Sequence, residues 1–319
     1  MVLMKGNNNA RSLVILLGIS AITMWFSFSY LKTISPLAYE GGAAEESPSK
    51  AVDVTSDSLY FWWMASLKKT ALKMKFDTRK LEFPESTKRV WIDVGVNKIS
   101  DFIKNLNEKE YSDLFLIGFE PSESWKPCEH DRCVVLWAAC TPDFDIVHLN
   151  VQSGSDLCNS LLKPHTNTTS RLWKGCVTQE TDLATGQPKT VQVPGIPLHA
   201  LVSRIPVDVE IEYIKIDAQG YDLEVMKGAF AATERIQVVS LEAMDVKDPD
   251  KLLYLGQPTL KDVITIMAEA GWKHVKNVGN QGALGEVNAF FVSDDRYIAK
   301  VDRLADVLMS NKEGKGKKS

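Results

Sequence analysis

The sequence predicts an α/β fold: a doubly wound, mostly parallel sheet with helices on both faces. Three apolar runs rich in β-branched residues, at residues 90–94, 114–119 and 211–216, carry a carboxylate at or just beyond their carboxyl ends. After the third run, Gly220 is followed by apolar residues at helical spacing, a pattern typical of a strand, a tight turn and a helix. Because strands and helices alternate, the sheet is expected to be parallel, with ligands bound at the carboxyl ends of its strands.

The composition is that of a globular protein with one large core. The chain has 319 residues, of which 45% are hydrophobic and 24% are charged, so wholesale disorder is excluded. The net charge of −4, and the lack of a basic stripe interleaved with aromatic residues, argue against a nucleic-acid partner.

An uncharged apolar segment, residues 12–31, predicts a transmembrane helix near the N-terminus. At about 1.5 Å per residue it spans roughly 30 Å, the thickness of a bilayer core. Lys5 and Arg11 precede it and acidic residues follow from Glu40, so residues 1–11 are expected in the cytoplasm and the body in the lumen. A cleaved signal peptide is the alternative, but the run is long for a signal core and no small-x-small site follows it. We therefore predict a single-pass type II membrane protein of the Golgi or the endoplasmic reticulum.

Flexible segments are expected on both sides of the domain, which we place at residues 58–310. Residues 32–57, rich in Gly, Ala, Ser and Glu, predict a stem, and residues 311–319, rich in Lys and Gly, predict a basic disordered tail. Apolar residues near helical spacing predict an amphipathic helix at residues 58–74 that packs on the domain. A helix lying on the membrane surface is the alternative.

From residue 88 onward, strands and helices are predicted to alternate. The predicted strands are residues 90–94, 114–119, 133–138, 144–149, 211–216, 237–241, 274–278 and 287–292. The predicted helices are residues 99–107, 198–205 and 259–270, and the helix after Gly220. A short glycine-rich connection predicts that the last two strands pair as a hairpin. Residues 150–190 are polar and aperiodic, and an insertion of this length is often a lid or a substrate loop.

Five cysteines and a glycosylation sequon fit a lumenal body. Some cysteines are expected to pair there, and Cys128 with Cys133 and Cys158 with Cys176 are candidate pairs, although spacing does not decide the connectivity. A histidine between the first two raises a zinc site as the alternative, but no second such pair completes a set of four ligands. Asn167 begins an Asn-x-Thr sequon.

The acids and the glycine at the predicted strand ends suit a nucleoside ligand. Asp93 and Gly95 stand at the end of the first strand, and Glu120 follows the second. A glycine lets the backbone approach a ligand closely, and Glu120 can accept hydrogen bonds from two vicinal ribose hydroxyls.

Three motifs at these strand ends carry a family resemblance. They are Asp93-Val-Gly95-Val-Asn97, Gly118-Phe-Glu120-Pro121 and Lys215-Ile-Asp217-Ala-Gln-Gly220. Together they resemble the FkbM family of S-adenosylmethionine-dependent methyltransferases, over about residues 88–293. The resemblance implies a seven-stranded, Rossmann-like methyltransferase sheet with one antiparallel strand, and methyl transfer from S-adenosylmethionine to a hydroxyl. The predicted compartment makes a glycan hydroxyl the expected acceptor.

The strand ends and the resemblance give a set of candidate cofactor-binding residues. They are Asp93, Gly95, Val96, Asn97, Glu120, Pro121, Trp137 and Ala138. Asp93 is expected to hold the ammonium of the methionine moiety, directly or through water, and Glu120 the ribose. Trp137 and Ala138 stand where the adenine would rest, although a large aromatic residue more often belongs to a core.

Methyl transfer from a sulfonium requires alignment of donor and acceptor and removal of the hydroxyl proton, and no metal is expected. Lys215 and Asp217 share one face of a strand by period two, which places both near the point where donor and acceptor meet. Asp217 is the candidate base, and Lys215 is either a catalytic group or a structural partner of a carboxylate such as Asp93. His199 is a further candidate base.

Two departures from the family pattern keep other functions open. Ile99 stands where the family usually has a glycine, and Gln219 where it usually has a glutamate. Both favour a non-catalytic, methyltransferase-like binding protein as an alternative. Asp143-Phe-Asp145 matches the Asp-x-Asp with which lumenal glycosyltransferases bind a divalent ion and a sugar nucleotide, which is the second alternative.

Overall fold

The computed structural model describes residues 73–74, 79–97, 102–123, 126–165, 176, 178–279 and 285–316, with backbone alone for 73–74 and 311–316. The predicted anchor at residues 12–31, the stem, Ile99 and Asn167 lie outside the described residues. Within the described part of the chain, no helix has the length and apolarity needed to cross a bilayer.

The strands occur in chain order as β1 Lys73–Met74, β2 Leu81–Glu82, β3 Arg89–Val94, β4 Leu114–Phe119, β5 Cys133–Leu136, β6 Ala139–Cys140, β7 Asp145–Asn150, β8 Thr190–Ile196, β9 Glu210–Ile216, β10 Ile236–Met244, β11 Lys273–Val278 and β12 Glu286–Val292. The α-helices are α1 Leu198–Val202, α2 Asp222–Lys227, α3 Leu260–Glu269 and α4 Ile298–Gly316. Short 3₁₀ helices occur at Ile103–Asn107, Lys109–Tyr111, Asp156–Cys158, Phe230–Arg235, Pro249–Lys251 and Asp295–Tyr297.

A seven-stranded sheet forms the centre of the domain, in the order β11-β12-β10-β9-β3-β4-β5. Strand β12 is antiparallel to both of its neighbours, and the other pairings within the sheet are parallel. The prediction of a doubly wound, mostly parallel sheet with one antiparallel strand and a terminal hairpin is therefore confirmed.

Alternation along the strands divides the core between the two faces of this sheet. On β3, Val90, Ile92 and Val94 enter the larger apolar cluster, whereas Trp91 points to the other face. There Trp91 packs edge-on against Tyr213, and α4 covers them with an apolar stripe that includes Leu304. Period-two burial of this kind is what two covered faces require.

A buried carboxylate ties α4 to the sheet. Glu212 is 2% exposed and accepts hydrogen bonds from the Trp91 indole (2.8 Å), Arg89 (3.0 Å) and Arg303 (2.6 Å). These partners lower the pKa of Glu212 against the opposing effect of its burial. Helix α4 was not predicted, and it extends to Gly316.

A second, three-stranded sheet, ordered β6-β8-β7, begins where the third strand of the central sheet ends. The predicted strand at residues 133–138 stops at Leu136, and the chain then enters the small sheet. The predicted strand at residues 144–149 is β7, which belongs to that sheet rather than to the central one. Strand β8 was not predicted, because Pro194 and Gly195 interrupt its apolar pattern.

The remaining differences concern helices. In the described part of the predicted helix at residues 99–107, the chain forms a 3₁₀ helix. The predicted helix at residues 58–74 is wrong at its end, because Lys73–Met74 pairs as a strand with Leu81–Glu82. Helix α1 ends at Val202, earlier than predicted.

Both candidate cysteine pairs form disulfides. The Cα–Cα distance is 5.8 Å for Cys128–Cys133 and 4.9 Å for Cys158–Cys176, both in the usual range for disulfides. The zinc alternative is wrong for the first pair, since its sulfurs are bonded to each other. Cys140 is free and buried, and burial raises the pKa of its thiol.

Candidate functional site

A cleft opens at the carboxyl ends of β3, β4 and β9, where the direction of chain progression across the sheet reverses. This switch point is the usual ligand site of open α/β sheets. The strand ends contribute Val94, Gly95, Asn97, Phe119, Glu120, Pro121, Asp217, Ala218, Gln219 and Tyr221. The opposite wall comprises Ala138, Ala139, Cys140, Leu149 and, from the insertion, Asp156, Leu157, Asn159, Ser160 and Leu161.

Gly95 brings the turn after β3 against the turn after β9. Its φ is +81°, and a Cβ at this position would lie 1.9 Å from the backbone oxygen of Asp217. The Gly95 N–H donates to the Phe119 carbonyl at 2.9 Å, which also fixes the turn to β4. Gly95 is thus required for the close approach of the β3 turn to the Asp217 backbone, and its predicted approach to a ligand stays a prediction.

Glu120 is held at the cleft wall by backbone donors. Its carboxylate accepts from the Asn97 N–H at 2.5 Å and from the Ser122 N–H at 2.8 Å. The side chain is 6% exposed, and burial raises the pKa of Glu120 against these hydrogen bonds, which favour the ionised form. A carboxylate has about four acceptor sites, so one oriented by two donors retains capacity for a ligand. Asn97 adopts φ +59°, a left-handed conformation that directs its N–H to Glu120.

Three charged side chains form a row that begins beneath the cleft and reaches it at Asp217. Lys215 Nζ lies 3.2 Å from Asp93 Oδ1 and 3.3 Å from Asp217 Oδ2. Asp93 and Lys215 are 1% and 3% exposed, whereas Asp217 is 21% exposed and lines the cleft. The alternative in which Lys215 pairs with Asp93 is confirmed. The buried Asp93 carboxylate faces Lys215, which disagrees with direct contact to an ammonium, and a contact through water stays a prediction.

Gln219 connects this row to a second acid. Its Nε2 donates to Asp217 Oδ1 at 2.9 Å and to Glu242 Oε2 at 3.3 Å, and its Oε1 accepts from the Tyr254 hydroxyl at 3.1 Å. Tyr254 and Glu242 were not predicted as part of the site. Tyr254 is distant in sequence and carries no motif, whereas Glu242 was visible as an acid at a strand end.

Asp222, which was not predicted as a site residue, organises the turn that carries Asp217 and Gln219. Its carboxylate accepts from the Ala218 N–H at 3.2 Å and the Gly220 N–H at 3.0 Å. Complete burial, and then the charge of Asp217, raise the pKa of Asp222 to about 8. The available signal was its position at the start of α2, where an acid next to free backbone N–H groups is common.

Part of the insertion lines the cleft, and its role as a lid or a substrate loop stays a prediction. Ser160 Oγ donates to the Gln219 carbonyl at 2.8 Å, and the Tyr254 hydroxyl lies 2.9 Å from the Cys158 carbonyl. The disulfide to Cys176 also holds this segment. The part of the insertion that lines the cleft is thereby attached to the turn that carries Asp217.

Other predicted site residues lie outside the cleft. The Val96 side chain packs toward Gly118, and the Trp137 indole donates to the Pro121 carbonyl at 3.0 Å. Val96 and Trp137 are not among the residues that line the cleft, whereas Pro121 and Ala138 are. His199 Nδ1 lies 3.0 Å from the Gly228 carbonyl, at the end of α2. His199 as a base is therefore corrected, because its ring anchors α1 to α2 away from the cleft.

The Asp-x-Asp tripeptide is likewise separate from the cleft. Asp143 and Asp145 are exposed, and Asp145 accepts a hydrogen bond from the neighbouring Ile146 N–H at 2.7 Å. Among the residues that the structure describes, no group of three His, Cys, Asp or Glu side chains could hold a metal ion.

Comparison with known proteins agrees with this geometry. The Methyltransferase FkbM domain matches residues 93–273, more than half of the chain, from the acid of β3 to the start of β11. The chain belongs to the FkbM methyltransferase family. This assignment contradicts the glycosyltransferase alternative.

The chain was also compared with solved structures and with curated proteins. The antibiotic-resistance methyltransferase Kmr, a solved structure, is similar with 10% identity and a TM-score of 0.32, over 70% of this chain and 99% of Kmr. Similarity at this level says nothing about a substrate. No curated protein matches the sequence significantly.

Proposed function

We propose that this FkbM protein is an S-adenosylmethionine-dependent O-methyltransferase that acts on a hydroxyl group. The observation that carries the proposal is that Glu120 and Asp217 both line one cleft at the switch point. Glu120 suits a ribose diol, and Asp217 suits a hydroxyl that loses its proton.

The described residues fit the cofactor. Gly95 lines the cleft without a side chain, and the buried Glu120 carboxylate is oriented by the Asn97 and Ser122 N–H groups. In this assignment Glu120 holds the ribose, and Pro121 with Ala138 lines the adenine side. The bound cofactor supplies an electrophilic methyl group on sulfur.

Asp217 acts on the acceptor. Its carboxylate would accept the hydroxyl proton as the oxygen–methyl bond forms and the sulfur–methyl bond breaks to leave a neutral thioether. Lys215 and Gln219 hold its two oxygens. General-base catalysis of this kind contributes typically 10²–10⁴-fold in rate. The segment Asp156 to Leu161 forms the other wall and is where the acceptor enters.

The cofactor assignment predicts a loss of affinity in Glu120→Ala. We expect S-adenosylhomocysteine binding, measured by calorimetry, to weaken by about 1.5–3 kcal/mol, the usual cost of removing a charged hydrogen-bond partner. Glu120→Gln should weaken it too, since one amide N–H₂ must then face a backbone N–H donor.

The exposed Glu129 provides the matched control. Glu129→Ala should bind like the wild type. Wild-type affinity in a folded Glu120→Ala variant contradicts the ribose assignment. No binding by the wild type would favour the non-catalytic alternative, which rests on Ile99 and Gln219.

We place the reaction in the lumen of the secretory pathway, with a glycan as the acceptor. The Cys128–Cys133 and Cys158–Cys176 disulfides support this proposal, because disulfides persist in oxidising compartments. With residues 12–31 as a retained anchor, the full-length protein should stay in membranes after a carbonate wash and lose mass on glycosidase treatment through Asn167. A secreted, unglycosylated product would contradict this placement.

A further inference from the structure

The backbone of Gln219 has an uncommon conformation that contacts from several neighbouring residues hold in place. Its φ is +53°, a left-handed conformation that is uncommon for a residue with a side chain. Ser160 donates to its carbonyl, and Asp222 accepts from the N–H groups of the residues on either side, Ala218 and Gly220. Strained backbone of this kind persists where surrounding contacts enforce it, and such positions cluster at functional sites.

The Gln219 side chain makes contacts that only an amide can make. Its N–H₂ group donates to the carboxylates of Asp217 and Glu242, and its oxygen accepts from Tyr254. A glutamate here would supply no donor and would place a third carboxylate beside the other two. The glutamine is therefore matched to this pair of acids.

The Gln219 amide affects both the orientation and the charge state of Asp217. One of its oxygens accepts from Gln219 and the other faces the Lys215 ammonium, so the carboxylate is fixed in orientation and its ionised form is favoured. We infer that Gln219 is a positioning residue that keeps Asp217 ionised and aimed into the cleft by sharing its amide between Asp217 and Glu242. The inference deepens the proposed function and rests on it for the role of Asp217 as the base.

The charge state of Asp217 depends on groups from several elements. Among the residues that the structure describes, those facing it or coupled to it include Lys215 on β9, Asp93 on β3, Glu120 after β4, Asp222 on α2, Glu242 on β10 and the buried phenol of Tyr254. Most of these groups are acids, which resist ionisation of Asp217. Within this set Lys215 is a cation that favours ionisation, and Gln219 supplies a neutral donor.

The titration of Asp217 tests the inference without cofactor or acceptor. Full-length protein with ¹³C-labelled aspartate carboxyls is titrated by NMR, and the Asp217 resonance is identified by its loss in Asp217→Asn. In Gln219→Glu we expect the midpoint to rise by about one pH unit or more, because closely spaced carboxylates share protons. In Gln219→Ala it should rise by less, since a donor is lost but no charge is added.

Two further variants make the result decisive. Gln187→Glu makes the same chemical change at an exposed glutamine outside the cleft and should leave the midpoint unchanged. Tyr254→Phe removes the hydroxyl that anchors the Gln219 oxygen and should raise the midpoint, and it decides the matter if Gln219→Glu does not fold. A folded Gln219→Glu variant with a lower Tm but the wild-type Asp217 midpoint would overturn the inference in favour of a structural role.

Failure of the proposed function can be distinguished from failure of the inference about Gln219. If S-adenosylhomocysteine does not bind but the midpoint moves as expected, the electrostatic role of Gln219 stands and the cofactor assignment is wrong. If the cofactor binds and the midpoint does not move, the enzyme assignment stands and the inference about Gln219 is wrong.

Discussion

Asp217→Asn should bind S-adenosylhomocysteine with wild-type affinity and lose methyl transfer by about 10²–10⁴-fold, the range of a lost general base. The asparagine keeps the shape of the side chain and can accept from Gln219, but it cannot take the hydroxyl proton. Lys215 retains Asp93 as an ion-pair partner in this variant, so the fold should survive. The effect should therefore appear in kcat rather than in cofactor binding.

Transfer of labelled methyl from S-adenosylmethionine to glycans released from the source cells is the appropriate measurement. The double variant Asp143→Asn/Asp145→Asn is the control, because both side chains are exposed and lie outside the cleft. It should be as active as the wild type. Full activity of Asp217→Asn, or loss of activity in the control alone, would place the base elsewhere.

The parts of the fold that could be predicted are those in which one local pattern decides the structure. Strand β4 has the predicted bounds, because it is apolar throughout and buried on both faces. Helix α3 begins at Leu260, one residue after the predicted start, because Thr259 is its N-cap and forms a capping box with Asp262. Helix α4 was missed although Val301, Leu304 and Leu308 recur at helical spacing, so the signal was present in the sequence.

The features of the site that could not be predicted depend on side-chain orientation and on contacts between residues distant in sequence. Period two correctly placed Lys215 and Asp217 on one face, but it does not show that Lys215 faces Asp93 beneath the cleft. Nothing local connects Tyr254 with Gln219, because their contact depends on how the segment after β10 returns to the cleft. Motifs identified the strand ends, and three-dimensional packing shows which of their side chains line the cleft.

Gly95→Ala is expected to have the largest effect on stability. The new methyl group would lie 1.9 Å from the Asp217 backbone oxygen and 2.9 Å from its carbonyl carbon, and backbone atoms cannot rotate away as a side chain can. The positive φ adds a cost of roughly 1 kcal/mol. Displacing the β9 turn adds about 1–3 kcal/mol, as for other overpacked sites. The same displacement moves Asp217 and Gln219, so cofactor binding and turnover should fall together.

Gly186→Ala separates the two contributions to this cost. Gly186 also has a positive φ, +68°, but a Cβ there would meet nothing within 4 Å. We expect thermal unfolding to show a loss of roughly 1 kcal/mol for Gly186→Ala and about 2–4 kcal/mol for Gly95→Ala, a fall in Tm of about 5–15 °C for the latter. Equal losses of unfolding free energy in the two variants would mean that the β9 turn can move away from the new methyl group at little cost. The close approach of the two turns would then not be what fixes Asp217 at the cleft, and the rigidity that this mechanism requires would have to come from Asp222 and Ser160 alone.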